Sequence, residues 1–308
     1  MARRKRGRDV HGWLILDKAY DVGSTQAVGK ARRLFDAKKA GHAGTLDPLA
    51  TGVLPIAFGE ATKTAPYVQD GEKTYRFAAR FGVATTTDDL EGEVIARSDV
   101  LPTSEAIEAA LPRFTGSIEQ RPPQFSAVRV GGERAYDLAR AGEAVEIASR
   151  PAFVAAFRLL AMPAPDTAEF EARTGKGVYV RSLVRDLAEA LGSHAHVVEL
   201  RRTAVGPFTE GNAVAMAELE AADPDERDAM LEGVDSVFAD YPQASVDGTA
   251  AARLRNGQTA VMAPVDARGV RAGEAGALET VFVTCEGDPV AICALDGLAL
   301  KPTRVFSF

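Results

Sequence analysis

Gly41-His42-Ala43-Gly44-Thr45-Leu46-Asp47-Pro48-Leu49-Ala50-Thr51-Gly52-Val53-Leu54 holds one acidic side chain, Asp47, among glycines, small residues and apolar residues. Lys38-Lys39 lies just upstream, and His42 is the one histidine close by. A carboxylate with no acidic neighbour in its own motif is a poor metal cage, but it can serve as a nucleophile or stabilise a developing positive charge. Asp followed by Pro also shapes turns. Spacing alone leaves both roles open.

Outward from this motif, charge is unevenly distributed. The 308 residues carry a net charge of −7, which by itself argues against a polyanionic partner. Residues 1–80, however, hold 15 Lys and Arg against 8 Asp and Glu, whereas the rest holds 21 against 35. The segment 216–240 alone has nine acids and one Arg. Local basic surface, not average charge, binds phosphates, and Asp47 lies in the basic part. A solvated basic face is the other meaning of such a run. Hydrophobic and charged contents of 46% and 26% are ordinary for a globular protein. No apolar run approaches the roughly 18 residues of a membrane span. After the basic Arg3, Arg4, Lys5, Arg6 and Arg8, the apolar run Trp13–Leu16 is too short for a secretory signal. Cys285 and Cys293 are too few for a disulfide scaffold and flank a hairpin turn at Gly287-Asp288, so packing is their expected role. A reduced, cytoplasmic protein is expected.

The pattern predicts a buried strand at Trp13–Leu16 and a helix from Ser24, as N-cap, to about Phe35. A strand follows around Val53–Ala57, and Lys73–Phe81 alternates cleanly, with Tyr75, Phe77, Ala79 and Phe81 on one face. Ser104 opens a short helix. Residues 121–150, bounded by Arg121-Pro122-Pro123 and Arg150-Pro151, read as an excursion from the sheet. Val154–Leu160 and Ala168–Arg173 resemble paired strands. Gly177–Arg181 reads as a strand end carrying Tyr179 and Arg181 on one face, and Ser182 as the start of a helix ended by Gly192. From Tyr241 onward short strands and turns form a small β unit.

Several chemistries lack their signatures. There is no G-x-x-x-x-G-K-[ST] loop, no G-x-G-x-x-G fingerprint and no G-x-S-x-G elbow. His194 and His196 have no partners to complete a zinc set and read as local structure. What remains is a site built from Asp47 with basic and aromatic neighbours.

Here the sequence resembles the TruB family of bacterial pseudouridine synthases, which modify uridine 55 in the T-loop of tRNA. The resemblance rests on residues 41–54, then Gly59-Glu60-Ala61-Thr62-Lys63, Lys73-Thr74-Tyr75, Phe125-Ser126-Ala127 with Arg134-Ala135-Tyr136, Gly177–Arg181 and Leu200-Arg201-Arg202. These occur in family order over residues 9–210, and Asn256-Gly257-Gln258 with the final Val305-Phe306 is similar to a PUA-type RNA-binding domain.

The resemblance implies an α+β fold: a catalytic domain on a mixed, mostly antiparallel sheet with flanking helices, and a small C-terminal β-barrel-like PUA domain. It implies a basic tail at 1–8, a catalytic domain at 9–240 with a thumb-like insertion at 121–150, and an RNA-binding unit at 241–308. Asp47 becomes the catalytic aspartate, Arg181 its partner, and Tyr75 the stacking residue and general base. Tyr179, Leu200, Asp89 and Lys18 belong to the substrate site, and His42 fills the space left by the extruded base. Lys38, Lys39, Arg129 and Arg134, with Lys30, Arg32 and Arg33, become phosphate contacts. The implied partner is tRNA, gripped by its T-arm and acceptor end, with no metal, cofactor, membrane or obligate protein partner. The chain departs from the family where Ala19-Tyr20 follows Asp17-Lys18, at Arg129, and at Thr86. A non-catalytic RNA-binding factor and an RNA-guided synthase are the competing readings.

Overall fold

The computed structural model describes residues 7–126, 128–130, 133–134, 147–261, 267–268 and 279–308. A large sheet is built from β1 (Gly12–Lys18), β2 (Ala40–His42), β3 (Thr51–Phe58) and β4 (Lys73–Phe81). Beyond a hairpin of β5 (Val83–Thr85) and β6 (Val94–Arg97) comes β7 (Gly116–Gln120). After the backbone pair β8 (Arg129–Val130) and β9 (Glu133–Arg134) the sheet resumes with β10 (Arg150–Ala164), β11 (Thr167–Thr174), β12 (Ala195–Val205), β13 (Phe208–Thr209) and β14 (Val214–Ala215). Its order is β14-β1-β3-β12-β4-β11-β10-β7, with β2 on β3 and β13 on β12. Only the β1–β14 and β3–β12 pairings are parallel, so the sheet is mixed and mostly antiparallel.

β3 is an almost continuous buried run, TGVLPIAF, as a strand covered on both faces should be. One side of β3 is shared by β12, at Thr51 and Gly52, and β2, at Ile56 to Phe58. Pro55 sits in the gap between them. Its carbonyl accepts from Ala43 N–H at 2.9 Å, so its missing N–H lies on the side where no strand needs it. The segment carrying Asp47 leaves and rejoins the sheet at this gap.

Helices cover the sheet: α1 (Ser24–Leu34), α2 (Ala65–Asp70), α3 (Ser104–Ala110) and α4 (Val180–Ala190). In α4, Leu183, Val184, Leu187 and Ala188 face the core with Phe77, Phe170 and Val197. Burying each leucine contributes about 1.5–3 kcal/mol. α4 begins at Val180, so the expected strand end at Gly177–Arg181 is corrected to a loop followed by a first helical turn. The acidic segment supplies α5 (Met216–Ala221) and α6 (Pro224–Ala229).

The C-terminal part is a six-stranded curled sheet, ordered β16 (Ala260–Val261), β20 (Ala299–Val305), β19 (Asp288–Asp296), β18 (Glu279–Cys285), β15 (Gln243–Ser245) and β17 (Ala267–Arg268). It also holds a helix, α7 (Gly248–Arg255), capped by Asp247, which the strand-and-turn reading omitted. Phe282, Ile292 and Phe306 join Phe238, Val237 and Trp13 in one buried cluster, and Phe238 stacks on Phe282 at 4.7 Å. Half of the expected thumb-like segment at 121–150 falls outside the described residues. So do the side chains of Arg129 and Arg134, and Arg3, Arg4, Lys5 and Arg6. Among the described residues no helix is long and apolar enough to cross a membrane.

Candidate active site

Asp47 opens a turn whose second residue is Pro48, with Ala50 N–H donating to the Asp47 carbonyl at 3.1 Å. The turn-shaping role is therefore present, but the carboxylate is not spent on it. Its Oδ2 lies 2.9 Å from the Arg181 guanidinium, and the Asp47 side chain remains 42% exposed against 6% for Arg181. Buried Arg181 also reaches Asp89 at 3.3 Å and donates to the carbonyls of Thr87 and Phe125, each at 2.9 Å. Charge-assisted bonds on several sides fix the plane of the guanidinium.

Three side chains from other elements hold the backbone around Asp47. Ser24 was expected to cap α1, but Gly23 is the residue before the helix, and the Ser24 hydroxyl crosses instead to Leu46. It accepts from Leu46 N–H at 2.9 Å and donates to Leu46 C=O at 2.8 Å. Lys18, 1% exposed, donates to the carbonyls of Ala19, Val22 and Pro48 at 3.0, 2.7 and 3.1 Å. Arg202, also 1% exposed, donates to the carbonyls of Val53, Thr45 and Gly44 at 2.8, 3.4 and 3.1 Å. Sequence reasoning gave Arg202 no role, and Ser24 only that of a cap. Nothing in local periodicity marks a cation whose partners are loop carbonyls about 150 positions away.

The exposed side of Asp47 faces a cleft of about 320 Å³, lined by Tyr75, Tyr179, Leu200, Lys73, Lys176 and Arg181 among others. Tyr75 stands on β4 directly opposite Arg202 of β12, and both line the cleft. Tyr179 immediately precedes α4. Its backbone is pinned by Gln120, which accepts from its N–H at 2.8 Å and donates to its carbonyl at 3.1 Å, and Arg150 sits over its ring at 5.4 Å. Thus the structure gathers Asp47, Arg181, Tyr75, Tyr179 and Leu200 at one cleft. Asp89 stands behind Arg181, Lys18 lies beneath the turn, and half-buried His42, on β2, is not among the lining residues.

Burial pushes the Lys18 ammonium down from its ordinary 10.5 to about 8, against the opposing attraction of Asp47. Burial also lowers Lys73 to about 8, with Arg202 adding repulsion. Such lysines hold their protons more weakly folded than unfolded, so their contribution makes folding more favourable as pH climbs from about 8 toward 10.5. The loss above pH 8 is local: a neutral Lys18 grips the Pro48 carbonyl less strongly. The reaction rate is expected to fall above about pH 8 without a matching fall in melting temperature, with the Lys18 ammonium titrating near the same pH by nitrogen NMR. A Lys18 midpoint near the ordinary 10.5 would contradict this.

The basic surface is partly answered from within. Lys30 pairs with Glu220 at 2.7 Å, Lys38 with Asp9 at 2.6 Å, and Arg8 with Asp228 at 2.7 Å. These pairs are solvent-exposed and screened by water, so phosphates can compete for the cations. The acidic segment therefore packs beside α1, where Arg227 also donates to the Leu34 carbonyl at 3.1 Å. Lys39 is exposed.

Comparison with known proteins places this geometry. Residues 32–180 match the family model described as the TruB family pseudouridylate synthase N-terminal domain, and residues 181–239 match the tRNA pseudouridylate synthase B C-terminal domain. A tRNA pseudouridine synthase B of Dinoroseobacter shibae is 50% identical over 99% of this chain and 98% of its own. That of Caulobacter vibrioides is 47% identical over 99% of each. Among solved structures, a chain of a Cbf5-Nop10-Gar1 complex has the same fold, with a TM-score of 0.71 at 24% identity, covering 96% of this chain and 85% of that one. A chain from an H/ACA RNP bound to a substrate RNA containing 2′-deoxyuridine also gives 0.71, at 21% identity, covering 100% and 92%. With near half of its residues shared along almost its whole length with these relatives, and with both family models matched over residues 32–239, the chain belongs to the TruB family of pseudouridylate synthases.

Proposed function

We propose that this chain converts uridine 55 in the T-loop of tRNA to pseudouridine, drawing the base out of its stack into the cleft over Asp47. Its curated relatives are named tRNA pseudouridine synthase B, and that activity is carried over from identities near 50% along the whole chain. The observation that carries the reading is the make-up of the cleft. Among the described residues, Asp47 is its one carboxylate, surrounded by Lys73, Lys176, Arg181 and Arg202. Cations suit a phosphate backbone, aromatic faces suit a splayed base, and one acid suits a reaction at a single sugar carbon.

The isomerisation breaks N1–C1′, turns the uracil, joins C5 to C1′, and moves the C5 proton to solvent while N1 gains one. No electrons are exchanged, so no redox partner is required. Asp47 acts either by adding to the base or to C1′, or by stabilising an oxocarbenium-like C1′ while loss of the 2′ proton gives a glycal. Tyr75 stacks on the base and takes the C5 proton, Tyr179 and Leu200 bound the ring, and His42 fills the vacated space in the RNA. Flipping costs a few kcal/mol, offset by stacking and phosphate contacts from Lys38, Lys39, Arg129 and Arg134. The curled sheet at 241–308 is read as a PUA-like unit holding the acceptor end, following a catalytic unit at 9–240, in a cytoplasmic enzyme.

Purified protein alone, given a pool of unmodified tRNA, is expected to leave pseudouridine at position 55 when the products are mapped nucleotide by nucleotide. Modification that waits for a guide RNA or a second protein, or that appears elsewhere, would overturn the reading. The identity of near 50% to proteins named tRNA pseudouridine synthase B favours the first outcome.

A further inference from the structure

A second ion pair lies one helical turn behind the catalytic one. Arg181 and Arg185 are four residues apart on α4 and so share a face. Arg181 takes Asp89, and Arg185 takes the preceding residue, Asp88, at 2.9 Å. Consecutive side chains in extended backbone point in opposite directions. Here both reach the same helix because Asp88 adopts the left-handed conformation, φ +60°, which Asp tolerates better than most residues. The two arginines also hold one connecting segment, Arg181 through the Phe125 carbonyl and Arg185 through the Arg121 carbonyl at 2.8 Å. The turn is tied from its other side to β12, where Val197 N–H donates to the Asp88 carbonyl at 3.0 Å.

We propose that Asp88 and Arg185 are a positioning pair for the reaction: they seat the 85–89 turn on α4, so that Asp89 meets Arg181 and Arg181 meets Asp47. This rests on reading Asp47 as the reacting group. The pair is poorly suited to a merely stabilising role. Arg185 is shared with Asp186, at 2.8 Å, so two carboxylates divide one guanidinium. Burial raises the pKa of both acids despite Arg185. Ion pairs bought at such a desolvation cost contribute little net stability, and placement is their better-supported use. Neither side chain is among those lining the Asp47 cleft; both line a second cavity, of about 570 Å³.

The test uses the full chain, a T-arm RNA and enzyme in excess, so that an inactive fraction does not alter the rate constant. Arg185→Ala and Asp88→Asn are each expected to slow pseudouridine formation about tenfold at saturating enzyme, the scale of a small misplacement of a reacting group. RNA affinity should stay within about twofold, since no cleft contact is removed. Because the pair acts through Asp89, adding Arg185→Ala to Asp89→Asn should cost little beyond Asp89→Asn alone. Should Arg185→Ala fail to fold, the near-isosteric Asp88→Asn carries the same test. An unslowed rate constant, a loss confined to RNA affinity, or losses that multiply with Asp89→Asn would each overturn the proposal. A parent chain that makes no pseudouridine overturns the functional reading itself and this one with it, a result distinct from an active parent with unslowed variants.

Discussion

Asp47→Asn is expected to abolish turnover while leaving the fold and RNA binding intact. Asparagine shapes turns about as well as aspartate, so the Asp47–Ala50 turn and its 3.1 Å backbone bond should persist. Arg181 is not orphaned, because Asp89 and the carbonyls of Thr87 and Phe125 still hold it. With Asp47 42% exposed, the lost ion pair should cost no more than about 1 kcal/mol after solvent screening. What disappears is the carboxylate itself. Removing an essential group of this kind typically lowers the rate constant by about 10⁴-fold or more. RNA affinity should hold or rise slightly, since a negative charge leaves a cationic cleft facing phosphates. The rate thus collapses while affinity does not. The measurement is a single-turnover pseudouridine assay by mass-neutral chemical labelling, beside a binding isotherm and a melting curve. A variant within about tenfold of the parent rate would return Asp47 to the role of a turn residue, since effects that small are common for residues outside the reacting set.

The Asp47 site was only partly legible in the residues. Lys73–Phe81 was readable end to end because one buried face of a strand imposes strict alternation, and the structure reproduces those bounds. The two misread helix starts share a cause. Ser24 and Ser182 each stand near a helix N-terminus, where a serine is ordinarily a cap. Each spends its hydroxyl on distant backbone instead, Ser24 on Leu46 and Ser182 on the Arg121 carbonyl at 2.8 Å. The cap preference is local, and a tertiary partner outbids it. At Gly177–Arg181 the β-branched and aromatic residues favour extension. The helix nevertheless begins at Val180, with no side-chain cap to announce it, and that early start buries Arg181 behind Asp47. Alternation and propensity could not have paired Asp47 with Arg181, 134 positions apart. The family resemblance supplied that pairing, and in the structure the two side chains lie 2.9 Å apart. The hold of Lys18 and Arg202 on the turn stayed illegible for the converse reason: their partners are carbonyls, which every residue carries, and the resemblance gave Lys18 only a place in the substrate site.

Gly52→Ala is expected to be among the most damaging single-methyl changes in the chain. Gly52 has φ +98°, a conformation that residues with a Cβ rarely adopt. An added Cβ would lie 2.2 Å from the Arg202 carbonyl oxygen and 3.1 Å from the Arg201 Cγ. The carbonyl cannot yield cheaply, because Gly52 is registered with Lys18 on one side and Arg202 on the other, and those two cations hold the Asp47 turn. Backbone strain costs about 1–3 kcal/mol and overpacking about 1–3 more, so a loss of roughly 2–6 kcal/mol is expected. Gly41→Ala, in the same motif, is the control: its φ is outside the left-handed region, and an added Cβ meets nothing within 4 Å. Denaturant unfolding of the two variants should separate them by several kcal/mol. The surviving folded fraction of Gly52→Ala should also react more slowly, since shifting the Arg202 carbonyl moves the guanidinium that holds Gly44 and Thr45. Equal stability of the two variants would mean that β3 and β12 can part at Gly52 without disturbing the turn, and that the buttress under Asp47 is looser than the contacts of Lys18 and Arg202 imply.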